Sequence, residues 1–163
     1  MKNISITIGI IAVFLGGLVW ISGGAGSGGN AGPAFGGLSA LSAEERQFDF
    51  GRISMSAGNV SHAFRVKNQS PSDLTISRLY TSCMCTTASL ETADGRSRAM
   101  GMPGHGPIPE LNKTIAPGEE AMVEVVFDPA AHGPAGVGPV TRVVYLESGG
   151  ERFELRFSAN VTP

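Results

Sequence analysis

The C-terminal segment of the chain alternates strictly between apolar and polar residues. From position 153 to 161 every second side chain is apolar, and the residues between them are Glu154, Arg156, Ser158 and Asn160. Successive side chains of an extended strand point to opposite faces, so this period of two predicts a strand with one buried face. Such a strand is stable only within a sheet whose apolar face packs on another layer. The segment therefore requires a β-sheet fold.

Similar short runs occur earlier in the chain, at 48–53, 60–67, 74–82, 121–127 and 140–146. They are separated by turn-forming sequences, for example NQSP at 68–71, APGE at 116–119 and SGG at 148–150. No window of about 11 or more residues in this region has the period of a helix. The pattern predicts an all-β fold, an Ig-like antiparallel β-sandwich of about seven strands.

The first residues have a different character. Lys2 is the only charged residue before Glu44, and residues 4–21 form an uncharged apolar run. A helix of that length reaches about 27 Å, which is close to the thickness of the hydrocarbon core of a bilayer. We expect residues 1–22 to be a transmembrane signal anchor. The alternative is a cleaved signal peptide, because the small residues SGGA at 22–25 would suit a peptidase.

The anchor is followed by a glycine-rich stretch, which we expect to be a flexible linker over residues 23–45. The Ig-like domain is then expected at 46–163. Lys2 favours a cytoplasmic N-terminus, since positive charge stays on that side of the membrane. The sequence predicts a single-pass cell-membrane protein with an extracytoplasmic C-terminal domain, or a secreted or periplasmic domain if the front is cleaved.

The charge balance limits the classes of partner and activity. The chain has 12 basic and 14 acidic residues without a basic stripe, so we expect no nucleic-acid partner. No nucleophile-elbow sequence accompanies its histidines and serines, and we expect a protein that is not an enzyme. The expected partners are the membrane, through residues 4–21, and a protein of the cell envelope.

Several motifs resemble one bacterial family. They are FDFGRIS, VSHAFRVKNQS, LTISRLYTSCMCTTA, IAPGEEAMVEVVFDP and ERFELRFSANV, and the most specific residues are Phe50-Gly51, Asn68, Ser82-Cys83-x-Cys85-Thr86 and Pro117-Gly118. The chain resembles the bacterial domain of unknown function fifteen-seventy-three (DUF1573), which is related to Hydin-type and ASH-type immunoglobulin-like domains. The resemblance covers about 48–161 and implies a sandwich of seven to eight strands, but it implies little about activity.

Two features depart from that family pattern. Met84 stands where the family usually has a glycine between the two cysteines. The segment 86–116 is also much longer than the usual connection in a compact domain, and we expect it to be a long loop with a functional role. It contains the sequence RAMGMPGHGPIP, and the triplet His-Gly-Pro recurs after position 127.

The two cysteines, Cys83 and Cys85, carry the chemistry that the sequence suggests. On an extended strand their sulfurs would share a face, with Cα atoms about 6.6 Å apart, at the far edge of disulfide geometry. A disulfide would therefore need the segment to turn. Two thiolates on one face are better placed to share a soft metal, with methionine and histidine completing a Cu(I) site or two histidines a Zn site. The predicted metal site is Cys83, Cys85, Met102, His105 and His132.

Other interpretations remain open at this point. The cysteines are equally consistent with small buried apolar residues and no metal, which would leave a purely structural interaction domain. A thiol-redox role for the Cys-x-Cys pair is the third hypothesis, although two residues between the cysteines and a helix N-terminus are the usual redox arrangement. His62 lies between apolar residues of a predicted strand and is expected to be packed rather than a ligand.

Overall fold

The computed structural model describes residues 40–104 and 108–163, which form eleven β-strands and two short 3-10 turns. The strands are β1 (Leu41–Ala43), β2 (Gln47–Ser54), β3 (Val60–Asn68), β4 (Leu74–Ile76), β5 (Arg78–Thr81), β6 (Thr86–Thr92), β7 (Gly95–Arg96), β8 (Lys113–Ile115), β9 (Glu120–Phe127), β10 (Gly138–Ser148) and β11 (Glu151–Thr162). The 3-10 turns are Met55–Ala57 and Gly133–Gly136. Within these residues no helix is long and apolar enough to cross a membrane. The predicted anchor at 1–22 and most of the predicted linker lie outside the described residues.

The strands form three sheets. One has five strands in the order β1-β3-β9-β6-β7, the second has four in the order β2-β11-β10-β5, and β4 pairs with β8 in the third. The strand pairs are antiparallel except β2 with β11, which run parallel. The predicted all-β class is therefore confirmed, and the antiparallel prediction needs this one correction.

A single hydrophobic core is built from residues of all three sheets. The apolar face of β11 is almost fully buried, as its alternation predicts, with Phe153, Leu155, Phe157, Ala159 and Val161 each at most 4 % exposed. Phe127 of the five-stranded sheet packs against Phe157 of the four-stranded sheet, with ring centroids 5.2 Å apart. Burial of such side chains stabilises the fold by roughly 1.5–3 kcal/mol each.

A two-residue turn sets the register of the long β10–β11 hairpin. Gly149 and Gly150 have φ angles of +57° and +85°, which side chains with a Cβ rarely adopt. A type I′ turn requires positive φ at both central positions and matches the twist of the strands. Because Ser148 pairs with Glu151 across this turn, the apolar residues of both strands face the core together.

Three predictions about organisation were wrong. The described residues contain eleven strands instead of about seven, because the predicted run 74–82 is divided into β4 and β5, and β1, β7 and β8 have only two or three residues and leave no periodic pattern. The segment 86–116 is not one long loop, since it contains β6, β7 and β8. Residues 41–43, assigned to the linker 23–45, form β1 and pair with β3.

Candidate functional site

The two cysteines lie in a turn that crosses from one sheet to another. β5 ends at Thr81 on the edge of the four-stranded sheet, and β6 begins at Thr86 in the five-stranded sheet. Cys83 and Cys85 therefore do not lie on an extended strand, which corrects the sequence prediction. Four residues must carry the chain between two sheets, and this short span forces the bend.

Hydrogen bonds fix the shape of this crossing turn. The Thr81 hydroxyl lies 2.9 Å from the carbonyl oxygens of both Cys83 and Thr86, and its one proton is shared between them. The Thr86 N–H donates to the Cys83 carbonyl at 3.2 Å. Both outer ends are tied to neighbours, since Ser82 N–H donates to the Val143 carbonyl at 2.9 Å and the Cys85 carbonyl accepts from the N–H that follows β9. The buried Thr81 side chain thus organises the turn from inside.

The bend brings the cysteines close enough for a disulfide. Their Cα atoms are 5.3 Å apart, and Cys83 is bonded to Cys85. The sequence prediction assumed a spacing of about 6.6 Å along a straight strand, so the expectation of two separate thiolates was wrong. The bonded residues are largely buried, at 9 % exposure for Cys83 and 3 % for Cys85, whereas Met84 between them is 67 % exposed.

His132 reaches the disulfide from the loop that follows β9. Its Nε2 atom lies 3.2 Å from Cys83 Sγ, and ligand atoms of the two cysteines and His132 all lie within 4.8 Å of one another. The loop is shaped by Asp128, whose carboxylate accepts from Ala130 N–H at 2.8 Å. A Cβ on Gly136 would lie 3.2 Å from His132 Cβ, so glycine at position 136 avoids a close contact with the histidine. The structure therefore places His132 beside the two cysteines.

Arg142 supplies a second polar contact, on the other sulfur. It comes from β10, and its Nε–H donates to Cys85 Sγ at 3.3 Å while Nη1 donates to the Thr141 carbonyl at 2.9 Å. This arginine is not among the residues that the sequence predicts for the site. Its place depends on the pairing of β10 with β5, which brings position 142 level with the turn, and no local sequence motif marks it.

Two residues of the predicted metal site are not brought to this cluster. Met102 is 47 % exposed and lines a different cavity, of about 340 Å³, together with Leu79, Tyr80 and Met100. His105 lies outside the described residues. The cleft that contains His132 and Arg142 has a volume of about 410 Å³ and is also lined by the exposed Val137.

His62 is packed in the way the sequence indicates. Its ring stacks on Phe48 with centroids 3.6 Å apart and meets Phe64 edge-on at 4.7 Å. Its Nε2 lies 2.6 Å from a carboxylate oxygen of Glu45. These contacts describe a structural histidine, in contrast to His132, which is exposed and faces sulfur.

The chemistry of the cluster depends on its redox state. As a disulfide it has no thiolate to offer a metal, because both sulfurs are bonded to each other. In that state it can exchange with an external thiol. After reduction, two sulfurs and the His132 imidazole would form a three-ligand set of the type that binds soft or borderline metals.

Solved structures resemble this fold at low sequence identity. A protein of unknown function from Porphyromonas gingivalis W83 superposes with a TM-score of 0.55 and 12 % identity over 74 % of the present chain and 46 % of its own. At that identity the similarity shows the fold alone. The VesB protease of Vibrio cholerae gives a TM-score of 0.49 with 19 % identity over 75 % and 32 % of the two chains. The YadV chaperone gives a TM-score of 0.46 with 9 % identity over 76 % and 53 %. The present chain thus spans less than half of the first two proteins.

Sequence comparisons define the relationship further. No curated protein matches the chain significantly. Residues 41–97 match the profile of one family, described as a protein of unknown function (DUF1573). The match includes Asn68 and the crossing turn with both cysteines. Over this segment the match confirms the resemblance to DUF1573 that was drawn from the motifs.

Proposed function

We propose that this chain is an extracytoplasmic Ig-like binding module, tethered to the membrane by its front segment, whose Cys83–Cys85 pair switches between disulfide and dithiol. It acts stoichiometrically, as a non-enzymatic module. The observation that carries the proposal is a disulfide across a turn in which each sulfur faces a polar side chain from another element, His132 or Arg142.

The size of the disulfide loop supports a chemical role. A disulfide stabilises a fold mainly by restricting the unfolded chain, and this effect grows with the length of the closed loop. For a loop of about three residues the relation gives roughly 1.6 kcal/mol, against about 4.7 kcal/mol for a loop of about 100 residues. The Cys83–Cys85 bond therefore adds little stability, and its reactivity is the better reason for its presence.

The proposed location has two supports. Disulfides persist in oxidising compartments and are rare in the cytosol of most organisms. Residues 4–21 form the uncharged apolar run expected of an anchor, and Lys2 precedes it, which favours a cytoplasmic N-terminus. We propose membrane contact through this run and a protein partner in the cell envelope. The charge balance gives no reason to propose a nucleic-acid partner.

An equilibrium redox titration tests this function. The full-length chain would be equilibrated with mixtures of reduced and oxidised dithiothreitol, and its thiols would be blocked with N-ethylmaleimide and counted by intact mass. We expect a reversible two-electron transition with the two thiols appearing together. A Cys83→Ser/Cys85→Ser variant is the control and should gain no label. A disulfide that opens only when urea unfolds the chain would refute the proposed function.

A soft-metal site in the dithiol state is the second candidate, because the three ligand atoms lie within 4.8 Å of one another. The proposed ligands are Cys83, Cys85 and His132, and the metal is Cu(I) or Zn. Anaerobic competition with a coloured Cu(I) chelator would measure it. The reduced chain should withdraw Cu(I), and the oxidised chain and the double serine variant should not. Equal withdrawal by all three would exclude this site.

A further inference from the structure

The two sulfurs of the disulfide have different surroundings. Cys85 is 3 % exposed, and its Sγ is contacted by the Arg142 Nε–H at 3.3 Å and by the Thr86 hydroxyl at 3.6 Å. Cys83 is 9 % exposed, and its Sγ faces the exposed His132 at 3.2 Å and accepts from the Cys85 N–H at 3.4 Å. One sulfur is thus held against a buried hydroxyl and a guanidinium, and the other borders a side chain that solvent reaches.

This asymmetry matters for thiol–disulfide exchange. An incoming thiolate bonds to one sulfur, and the other sulfur leaves with the electron pair of the broken bond. The leaving sulfur becomes an anion, so a permanently charged donor at that position lowers the energy of the step. Arginine keeps its positive charge at all ordinary pH values. Arg142 therefore favours Cys85 as the leaving sulfur.

Access points in the same direction. The cleft of about 410 Å³ is lined by His132, which contacts Cys83 Sγ, and by Arg142, which contacts Cys85 Sγ, so an incoming thiol can approach the disulfide from there. Cys85 has its carbonyl hydrogen-bonded to Asp128 N–H at 2.9 Å and its sulfur covered by Arg142. An attacking sulfur would have to displace Arg142 to reach Cys85 Sγ. The leaving thiolate would then be Cys83, which Arg142 does not contact.

We propose that Cys83 is the sulfur attacked by external thiols and that Arg142 holds Cys85 as the leaving thiolate. This inference rests on the proposed redox function. In the first step the thiolate R–S⁻ forms a mixed disulfide with Cys83, the Cys83–Cys85 bond breaks, and its electron pair stays on Cys85. A second thiol then displaces Cys83, which gives the dithiol and the external disulfide R–S–S–R. The co-reactant is a small thiol or a cysteine of a partner protein.

The position of the mixed disulfide tests the inference directly. The oxidised full-length chain would be mixed with glutathione, quenched within the first few per cent of reaction with N-ethylmaleimide, and analysed by fragment mass spectrometry. We expect glutathione on Cys83 and maleimide on Cys85 in at least about tenfold excess over the reverse arrangement, as one charge-assisted hydrogen bond allows. Glutathione mainly on Cys85, or an even split, would overturn the inference.

Variants of Arg142 separate its charge from its packing. Arg142→Met should slow glutathione addition about tenfold and bring the two adducts toward an even split, whereas Arg142→Lys should retain most of the preference. Arg78→Met is the matched control, because Arg78 is also a partly exposed arginine of the same sheet but contacts Glu147. A preference for Cys83 that survives in Arg142→Met would remove the arginine from the proposal.

Failure of the inference can be distinguished from failure of the proposed function. If dithiothreitol reduces the folded chain but glutathione is found on Cys85, the redox function stands and the inference falls. If neither reagent opens the disulfide while circular dichroism shows a folded chain, both fall. The circular dichroism spectrum of each Arg142 variant confirms that the comparison is made between folded proteins.

Discussion

Asn68 and the Cys83–Cys85 turn both place polar or polarisable atoms in the interior, but their surroundings differ. Asn68 is fully buried, and its amide donates to the carbonyls of Ser72 and Ile115 at 2.8 and 2.9 Å. Its side-chain oxygen accepts from the N–H and hydroxyl of Ser70. Every one of these partners belongs to a local turn or strand end. The cysteine sulfurs instead face the ionisable side chains of His132 and Arg142, which border a cleft.

The difference shows that two of the motifs on which the family resemblance rests can have different roles, one in stability and one in chemistry. The backbone of Asn68 is also tied to the Pro117-Gly118 turn, since its carbonyl accepts from Gly118 N–H and its N–H donates to the Glu119 carbonyl. A side chain whose polar atoms are all satisfied by the fold contributes stability. A disulfide that closes a very small loop beside ionisable side chains contributes reactivity. The predictions below test whether stability and chemistry separate in this way.

The largest loss of stability is expected for Asn68→Ala. The change removes hydrogen-bond partners from two carbonyls and two Ser70 donors and should lower the free energy of unfolding by about 3 kcal/mol. Urea unfolding of the oxidised chain measures it, with Asn160→Ala as the control because Asn160 is exposed on β11. The disulfide should still be reducible in the variant. A loss below about 1 kcal/mol would contradict the structural role of Asn68.

The Cys83→Ser/Cys85→Ser variant should lose less stability than Asn68→Ala. The loop-closure relation gives about 1.6 kcal/mol for a loop of about three residues. The same urea experiment measures the loss, and wild-type chain reduced by dithiothreitol is the natural comparison. If removing the bond costs more than Asn68→Ala, the disulfide is a stabilising cross-link and the comparison fails.

Thr81→Val tests whether the Thr81 hydroxyl stabilises the turn conformation in which the disulfide forms. Valine keeps the shape of this buried side chain but removes the hydroxyl that donates to the Cys83 and Thr86 carbonyls. Loss of about 1 kcal/mol of hydrogen bonding should shift the disulfide equilibrium about fivefold toward the dithiol. The dithiothreitol titration measures the shift. Thr75→Val, on an exposed threonine of β4, is the control. An unchanged equilibrium would show that other contacts shape the turn.

The smallest effect is expected at alkaline pH. Burial raises the pKa of Tyr80 above its ordinary value of 10.0, and the hydrogen bond that its hydroxyl donates to Glu147 at 2.7 Å raises it further. The folded state therefore holds the proton more tightly, so this contribution is present below about pH 10 and is lost as the pH rises through the folded pKa. Between about pH 9 and 11.5 the wild type should lose up to about 1 kcal/mol more stability than Tyr80→Phe. An equal loss of stability in both chains would show that Tyr80 makes no such contribution. Tyr145→Phe is the matched control.

The strands were predictable where the alternation is local and long. The five apolar residues of β11 face the core, as predicted, because the alternation of side chains along a strand does not depend on which strands it pairs with. The short strands β7 and β8 have two and three residues, and so short a run carries no period. β7 pairs with the longer β6, whereas β8 pairs with β4, which is equally short. The predicted loop 86–116 therefore could not be divided from the sequence.

The site was partly predictable for a similar reason. Residue chemistry marked Cys83, Cys85, Met102, His105 and His132 as a group, and of these the fold brings the two cysteines and His132 together. The disulfide depends on a bend imposed by the crossing between two sheets, which spacing along the chain does not reveal. Arg142 depends on strand register, and Met102 lines a different cavity although its sequence neighbourhood suggested a ligand.

The rate of reduction under native conditions tests the central claim most directly. Thiol release from the oxidised full-length chain would be followed at increasing dithiothreitol concentrations, together with the near-ultraviolet circular dichroism of the stacked Tyr80 and Tyr145. We predict a rate that rises in proportion to dithiothreitol while the tyrosine signal persists, because the folded protein itself undergoes exchange. A rate that reaches a plateau and equals the rate of loss of the tyrosine signal would show that the disulfide opens only after unfolding, and would contradict the account.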